Sequence, residues 1–301
     1  MRQAAESRKP RGTAVFLAVM AVLTLLQASA WCGDLAEVRK SGVLRHVGIP
    51  YANFVTGAGD GMDVALIQMF ARRLGVRYEY VKSDWGTVVQ DVTGKRTQAA
   101  GNEVSILGDA PVKGDLIANG FTVLPWRQKA LLFSSPTFPS QIWLVARSNS
   151  KVQPIKPSGD MDTDIARTKA LMKKRNVMAL QKTCLDPSLY NLDATGAKVI
   201  CFTGKLNELA PAVIGGKAEM TILDVPDALV ALDKWPGKIK ILGPISGKQE
   251  MAVAFPKGSP ELRDAFDEFL KQARKDGSYQ RVVKRYYPTA AAFFPEFFKS
   301  R

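Results

Sequence analysis

The alternation of strand-like and helix-like stretches constrains the fold of this chain most strongly. Residues 43–49 and 76–81 are predicted strands, and apolar residues at helical spacing between them predict a helix over residues 63–74. The same alternation returns over residues 162–242 and again over residues 251–286. Strands joined by helices form parallel sheets. The sequence therefore predicts an α/β protein, and 301 residues are enough for two domains.

Two stretches interrupt this alternation. Residues 148–160 hold two prolines and several small polar residues, which predicts a connection between two lobes. Residues 93–114 are rich in glycine and polar residues, and we expect a surface loop with one short strand there. The single histidine, His46, lies inside the first strand, where we expect it to be packed or hydrogen-bonded and not catalytic.

The first thirty residues have the composition of a secretory signal peptide. A basic start is followed by an apolar run over residues 13–26 and by small residues at 28–30, where cleavage would occur. We expect a soluble, exported, periplasmic protein cleaved near Ala30, with a retained N-terminal anchor as the alternative. No second apolar run approaches a transmembrane length.

Charge and cysteine content narrow the function. The net charge of +14 is scattered without a dense basic block that contains aromatic residues, so we expect a solvated surface and no nucleic-acid partner. One histidine and no CxxC motif argue against a metal site, and we expect no cofactor. Of the three cysteines, Cys184 and Cys201 are the expected disulfide, because both lie in one βαβ-like segment of an exported chain.

The stretch over residues 119–146 holds the strongest candidate for a ligand contact. Arg127 follows a small-residue turn and Thr122, and a strand-like run over residues 141–146 comes after it. A guanidinium group fixed between a turn and a buried strand is suited to bidentate binding of an anion. The alternative is an ordinary surface arginine in a loop.

Five segments, taken in this order, resemble the bacterial extracellular solute-binding proteins of the polar amino-acid class, family 3. They are VLRHVGIPYANF, GMDVALIQMFARRLGV, GFTVLPWRQKALLFSSPTFPSQIWLVA, GGKAEMTILD and KDGSYQRVVKRYYP. The resemblance implies a type II periplasmic binding fold of two α/β lobes with two hinge crossings. We expect lobe one at residues 31–145 and 248–301 and lobe two at residues 146–247, with the first crossing at residues 141–146.

The resemblance also implies a ligand site in the cleft between the lobes. Arg127 matches the arginine that binds the ligand carboxylate, and Thr122 matches a hydroxyl group that assists it. Asp224 matches the aspartate that pairs with an α-ammonium group, with a helix N-cap as its alternative role. Tyr51 matches an aromatic residue that stacks on the ligand, and Thr183 matches a hydroxyl group at a helix start that favours anions. Core or capping roles stay open for both.

Three residues depart from the family pattern. Trp126 stands where an acidic or small residue usually precedes the arginine. Lys182 replaces a glycine, and its side chain either reaches a second acidic group of the ligand or points to solvent. Cys184 replaces a small hydroxyl residue.

Three functions follow as hypotheses. The first is a monomeric, non-enzymatic protein that delivers a small carboxylate-bearing, amino-acid-like solute to the permease of an ABC transporter. The second is an enzyme on the same fold, similar to the cyclohexadienyl dehydratases, with Asp224 as the candidate general acid. The third is a sensor or docking domain without transport, for which the aromatic segment AAAFFPEFFKSR is a candidate contact surface.

Overall fold

The computed structural model describes residues 33–299, and the expected signal peptide and Cys32 lie outside these residues. Two separate five-stranded sheets form the centres of two lobes, each covered by helices. The predicted α/β class is therefore confirmed. Within the described residues, no helix is both long enough and apolar enough to cross a membrane.

The first sheet has the strand order β2-β1-β5-β14-β6. Strands β1, β2 and β5 are parallel, while β14 runs antiparallel to both of its neighbours. The strands are β1 (Val43–Gly48), β2 (Arg77–Lys82), β5 (Leu116–Ile117), β6 (Leu131–Phe133) and β14 (Ala254–Pro256). The helices of this lobe are α1 (Leu35–Ser41), α2 (Met62–Leu74), α3 (Val88–Thr93), α4 (Pro125–Ala130), α8 (Pro260–Lys275) and α9 (Ser278–Tyr286).

The second sheet has the order β10-β9-β11-β8-β12. Its strands are β8 (Ile142–Arg147), β9 (Asn176–Ala179), β10 (Lys198–Cys201), β11 (Met220–Asp224) and β12 (Ile239–Pro244). The helices around it are α5 (Met161–Ala170), α6 (Leu209–Ile214) and α7 (Val225–Lys234), with short 3-10 turns at Pro187–Tyr190, Leu192–Thr195 and Leu206–Glu208. β11 is buried along its whole length because it lies in the middle of the sheet.

The crossing between the lobes differs from the expected one. β8 is not a crossing, because it pairs with β11 and β12 inside the second sheet. The crossing chains are instead β7 (Phe138–Ser140) and β13 (Gln249–Met251), which form a separate antiparallel pair between the two sheets. The prediction of two crossings agrees with this pair, but the prediction that residues 141–146 form the first one is wrong.

Residues 93–114 form more regular structure than expected. β3 (Lys95–Ala100) and β4 (Glu103–Asp109) pair as an antiparallel hairpin. Most of its side chains are exposed, including Ile106 and Leu107. The hairpin contacts α3 and α4 of the first lobe, and Lys129 of α4 forms an ion pair with Glu103 at 2.5 Å.

The last two described helices lie against the crossing region. Two short helices, α10 (Ala290–Phe293) and α11 (Pro295–Lys299), follow the last helix of the first lobe. Phe294 stacks on Trp143 of β8, and Phe298 packs edge-on against Phe138 of β7. The aromatic tail therefore ties the end of lobe one to a crossing strand and to lobe two.

Candidate functional site

Arg127 is a buried cation without a charged partner. It lies in α4, which begins at Pro125, and only 2% of its surface is exposed. Its Nη1 donates to the Thr122 carbonyl oxygen at 2.9 Å, while Nε has no hydrogen-bond partner among the described residues. Among residues 33–299 it forms no ion pair. Burying a charge that has no partner is costly unless an anion completes it.

Aromatic rings hold the guanidinium group in place. Its central carbon lies 3.9 Å from the ring centre of Phe121, 5.3 Å from that of Trp126 and 5.9 Å from that of Trp85. Phe121 in turn stacks between Trp85 and Phe133. Trp126, the unusual neighbour of the arginine, is therefore part of its support. Burial lowers the pKa of Arg127 to about 10, which leaves it protonated at neutral pH.

The hydroxyl group of Thr122 is a second unsatisfied group on this side of the cleft. Thr122 is 1% exposed, and its Oγ1 lies near the Cys184 thiol but is within hydrogen-bond geometry of no group in the described part of the chain. A buried hydroxyl group without a partner is costly unless a ligand completes it. Arg127 Nε and Thr122 Oγ1 are thus two donors without partners, on residues that are joined by the hydrogen bond from Arg127 Nη1 to the Thr122 carbonyl oxygen.

Asp224 lies at the carboxyl end of β11 and is also the N-cap of α7, which is the alternative role expected for it. Its carboxylate accepts from the Tyr51 hydroxyl group, from Cys184 Sγ at 3.3 Å and from the Asp227 backbone N–H at 3.4 Å. Burial raises its pKa to about 6, against the lowering effect of these hydrogen bonds. At neutral pH Asp224 is therefore mainly an anion.

The two lobes touch at this point. Tyr51 follows β1 of lobe one, and its hydroxyl group reaches Asp224 in lobe two. Beside it, the Ala52 backbone N–H donates to Asn207 Oδ1 at 2.9 Å. Tyr51 is fully buried and stacks on Phe54. These two hydrogen bonds between lobes describe a closed cleft.

The turn after β9 supplies the lobe-two side of the cleft mouth. Thr183 is buried, but its hydroxyl group already donates to the Leu180 carbonyl oxygen and accepts from the Leu185 N–H. Lys182 is exposed and adopts a positive φ of 61°. Thr183, Lys182 and Trp126 line one cavity of about 400 Å³.

The expected disulfide is absent. Cys184 and Cys201 are both free, the first buried and the second exposed. The reason is the direction of the Cys184 side chain, whose thiol donates to the Asp224 carboxylate inside the cleft. Cys201 ends β10 at the edge of the second sheet. Sequence spacing alone could not reveal this difference.

The structure thus groups the candidate residues into two neighbouring sets. Thr122 and Arg127 meet in lobe one, and Tyr51, Asp224 and Cys184 meet across the cleft. The other three candidates, Trp126, Lys182 and Thr183, line the cavity at the mouth of the cleft. Sequence reasoning missed the rings of Trp85 and Phe121 beneath Arg127, and it missed Tyr190, whose hydroxyl group donates to the Cys184 carbonyl oxygen at 2.6 Å. The only sequence signal for these three residues was the presence of aromatic residues next to the predicted turns.

His46 lies in the first lobe, away from these groups. It is buried, and its ring nitrogens contact the Tyr78 hydroxyl group at 2.9 Å and the Ala118 carbonyl oxygen at 2.5 Å. Burial lowers its pKa to about 4. The expectation of a packed, hydrogen-bonded histidine is confirmed.

Comparisons with known proteins agree with this architecture. The chain is 25% identical over 265 residues to the L-cystine-binding protein TcyA of Bacillus subtilis (strain 168), an overlap that covers 85% of each protein. A crystal structure of the P235GK mutant of ArgBP from T. maritima superposes with a TM-score of 0.65 at 23% identity, covering 84% of this chain and 99% of that one. The ancestral amino acid-binding protein AncCDT-1, described as a precursor of cyclohexadienyl dehydratase, superposes at 0.64 with 22% identity, covering 84% and 98%.

At this level of identity the solved structures support the fold alone, and they confirm the predicted type II periplasmic binding architecture. The family itself follows from a family model that matches residues 111–289, more than half of the chain, and includes Arg127, Asp224 and the crossing strands. This chain belongs to the bacterial extracellular solute-binding proteins, family 3.

Proposed function

We propose that this protein captures a small carboxylate-bearing, amino-acid-like solute in the periplasm and delivers it to the permease of an ABC transporter. It acts as a monomer without catalysis, after its N-terminal segment has directed export. The observation that carries this proposal is Arg127, a buried arginine with a free Nε and no ion pair in residues 33–299. A ligand carboxylate would complete both this group and the Thr122 hydroxyl group.

Asp224 supports the amino-acid character of the ligand. Asp224 in lobe two accepts a hydrogen bond from Tyr51 of lobe one. Arg127 in lobe one interacts electrostatically with Cys184 and Tyr190 of lobe two. A zwitterion bridges Asp224 and Arg127 only when the lobes are closed, so its binding favours closure. Its ammonium group would displace the Tyr51 hydroxyl group or the Cys184 thiol from the carboxylate.

Isothermal titration calorimetry on the processed protein tests this proposal. We expect one or more compounds in a panel of amino acids and small organic acids to bind, and Arg127→Ala to abolish that binding. Arg72→Ala, at an exposed position on α2, is the matched control and should bind as the parent does. Unchanged affinity in the Arg127 variant would remove the proposed site.

Asp224→Asn separates amino acids from other acids. If the ligand carries an ammonium group, this substitution should weaken binding by about tenfold or more, because a charge-assisted hydrogen bond is lost. An organic acid without an amino group should bind as well or better.

An enzyme remains the second candidate, because the same carboxyl group has a pKa of about 6 and lies buried in the cleft. Such a group suits general acid catalysis near neutral pH. Turnover of a cyclic dienyl acid that disappears in Asp224→Asn would replace the binding proposal with this one.

A further inference from the structure

A cavity of about 400 Å³ lies at the cleft mouth, beside the Arg127 site. One wall comes from lobe one, from the β3–β4 hairpin together with Trp85 and Trp126. The other wall comes from lobe two, from the turn that begins at Lys182. Because both lobes contribute, the cavity is complete only in the closed arrangement. Its volume, on the order of a dozen water molecules, lies within the range of small-molecule sites.

The β3–β4 hairpin covers one side of this cavity. It is fixed to lobe one by its contacts with α3 and α4 and by the ion pair between Lys129 and Glu103. Residues 97–101 and Leu107 face the cavity, although Leu107 is 59% exposed and packs in no core cluster. The hairpin therefore extends the ligand cleft outward and adds little to the core.

Lys182 is the unpaired charge among the residues that line this cavity. The other charged lining residue, Asp186, already accepts from the Lys182 N–H and from the N–H and hydroxyl group of Ser188. Lys182 forms no ion pair in the described part of the chain. Glycine adopts a φ of 61° more readily than lysine does, so the backbone of Lys182 has this conformation at a cost in free energy.

We propose that this cavity is a second subsite, which binds the distal anionic group of an elongated ligand through the Lys182 ammonium group. This inference rests on the proposed function, because Arg127 would hold the ligand's first carboxylate. The two subsites share a wall, since Trp85 and Trp126 flank the Arg127 guanidinium group and also line the cavity. The ligand class is an elongated dicarboxylic acid, with or without an amino group, whose body lies along these indole rings.

Calorimetry at low ionic strength with two ligand series tests the second subsite. One series contains straight-chain dicarboxylates from malonate to suberate, and the other contains monocarboxylates of the same lengths. We expect a dicarboxylate of intermediate length to bind about tenfold or more tightly than its monocarboxylate, as one additional charge-assisted hydrogen bond would give. Lys182→Gly should remove this preference and leave monocarboxylate affinity unchanged.

The test variants are expected to fold, so a change in affinity reports on binding. Glycine is favoured at the φ of Lys182, so Lys182→Gly should fold at least as well as the parent. Lys217→Ala, at an exposed position in lobe two, controls for loss of one positive charge. A second variant, Ala99→Trp, fills the cavity from the hairpin side and should weaken long dicarboxylates while leaving short acids unaffected.

The outcomes separate the two proposals. Suppose that dicarboxylates bind no more tightly than monocarboxylates to the parent, that Lys182→Gly changes neither affinity, and that Arg127→Ala abolishes all binding. The second subsite is then wrong, and the carboxylate site stands. If no dicarboxylate binds although an amino acid of the panel does, the second subsite is wrong and the carboxylate site stands. If Arg127→Ala leaves ligand binding unchanged, both proposals are overturned.

Discussion

At the scale of single residues, lobe one buries an ionisable group, Asp63, whose burial changes how stability depends on pH. Asp63, near the start of α2, is 2% exposed, and its Oδ2 accepts from the Gly120 N–H at 2.6 Å, while Oδ1 has no partner in the part of the chain that the structure describes. It joins α2 to the turn that precedes Thr122 and Arg127. Burial raises the pKa of Asp63 to about 7.

Asp63 should make the folded protein less stable as the pH rises. Its pKa is about 7 in the folded state and 3.8 ordinarily, so the folded state holds a proton that the unfolded chain releases. The resulting stabilisation is fully present below about pH 4 and is lost as the pH rises through 7. Between pH 5 and pH 8, the free energy of unfolding of the parent should therefore fall by about 2–3 kcal/mol more than that of Asp63→Asn.

Urea denaturation at the two pH values measures this difference. Asp233→Asn, at an exposed position in α7, is the matched control and should follow the parent. An equal loss of stability in the Asp63 variant and the parent would show that Asp63 is ionised in both states.

At the scale of elements, the helices and strands with a periodic pattern of apolar residues could be predicted from the sequence, and those without such a pattern could not. The strand–helix alternation was visible because it has a local signature, whereas the short helix α4 that carries Arg127 was not predicted, since the sequence indicated only a turn there. The β3–β4 hairpin was not, since most of its residues are exposed on both faces and it shows no apolar alternation. Similarly, the apolar run of β8 indicated a buried strand but not which sheet it joins.

The aromatic tail is an element that can be tested alone. Phe294 stacks on Trp143 with 12° between the rings, and both are at least partly buried. Phe294→Ala should lower the free energy of unfolding by about 1–2 kcal/mol, a few degrees in melting temperature. Thermal unfolding followed by circular dichroism measures it, with the exposed Lys299→Ala as the control. No change would mean that the contact between the tail and β8 of lobe two does not stabilise the fold.

At the scale of the whole molecule, closure depends on contacts that are distant in sequence. Tyr51 and Asp224 are 173 residues apart, and Ala52 and Asn207 are 155 apart. No local pattern indicates that a tyrosine expected to stack on the ligand also closes the cleft. The same holds for the Cys184 thiol, which contacts Asp224 instead of forming a disulfide with Cys201.

Removing the Tyr51 hydroxyl group should open the ligand-free protein. Loss of a hydrogen bond to a carboxylate, about 1.5–3 kcal/mol, shifts an open–closed equilibrium by roughly tenfold or more. Small-angle X-ray scattering should show a larger radius of gyration for Tyr51→Phe than for the parent. Tyr78→Phe is the matched control, because the Tyr78 hydroxyl group contacts His46 within lobe one. Equal radii for the parent and the Tyr51 variant would contradict this role.

The central claim is that Arg127 and Thr122 form the carboxylate site of a solute-binding cleft. A crystal structure with the acid that binds most tightly tests this claim most directly. We predict a carboxylate whose oxygens lie about 2.7–3.1 Å from the Arg127 guanidinium nitrogens and from Thr122 Oγ1. A ligand bound in the cleft with Arg127 Nε and Thr122 Oγ1 still unpaired would contradict it.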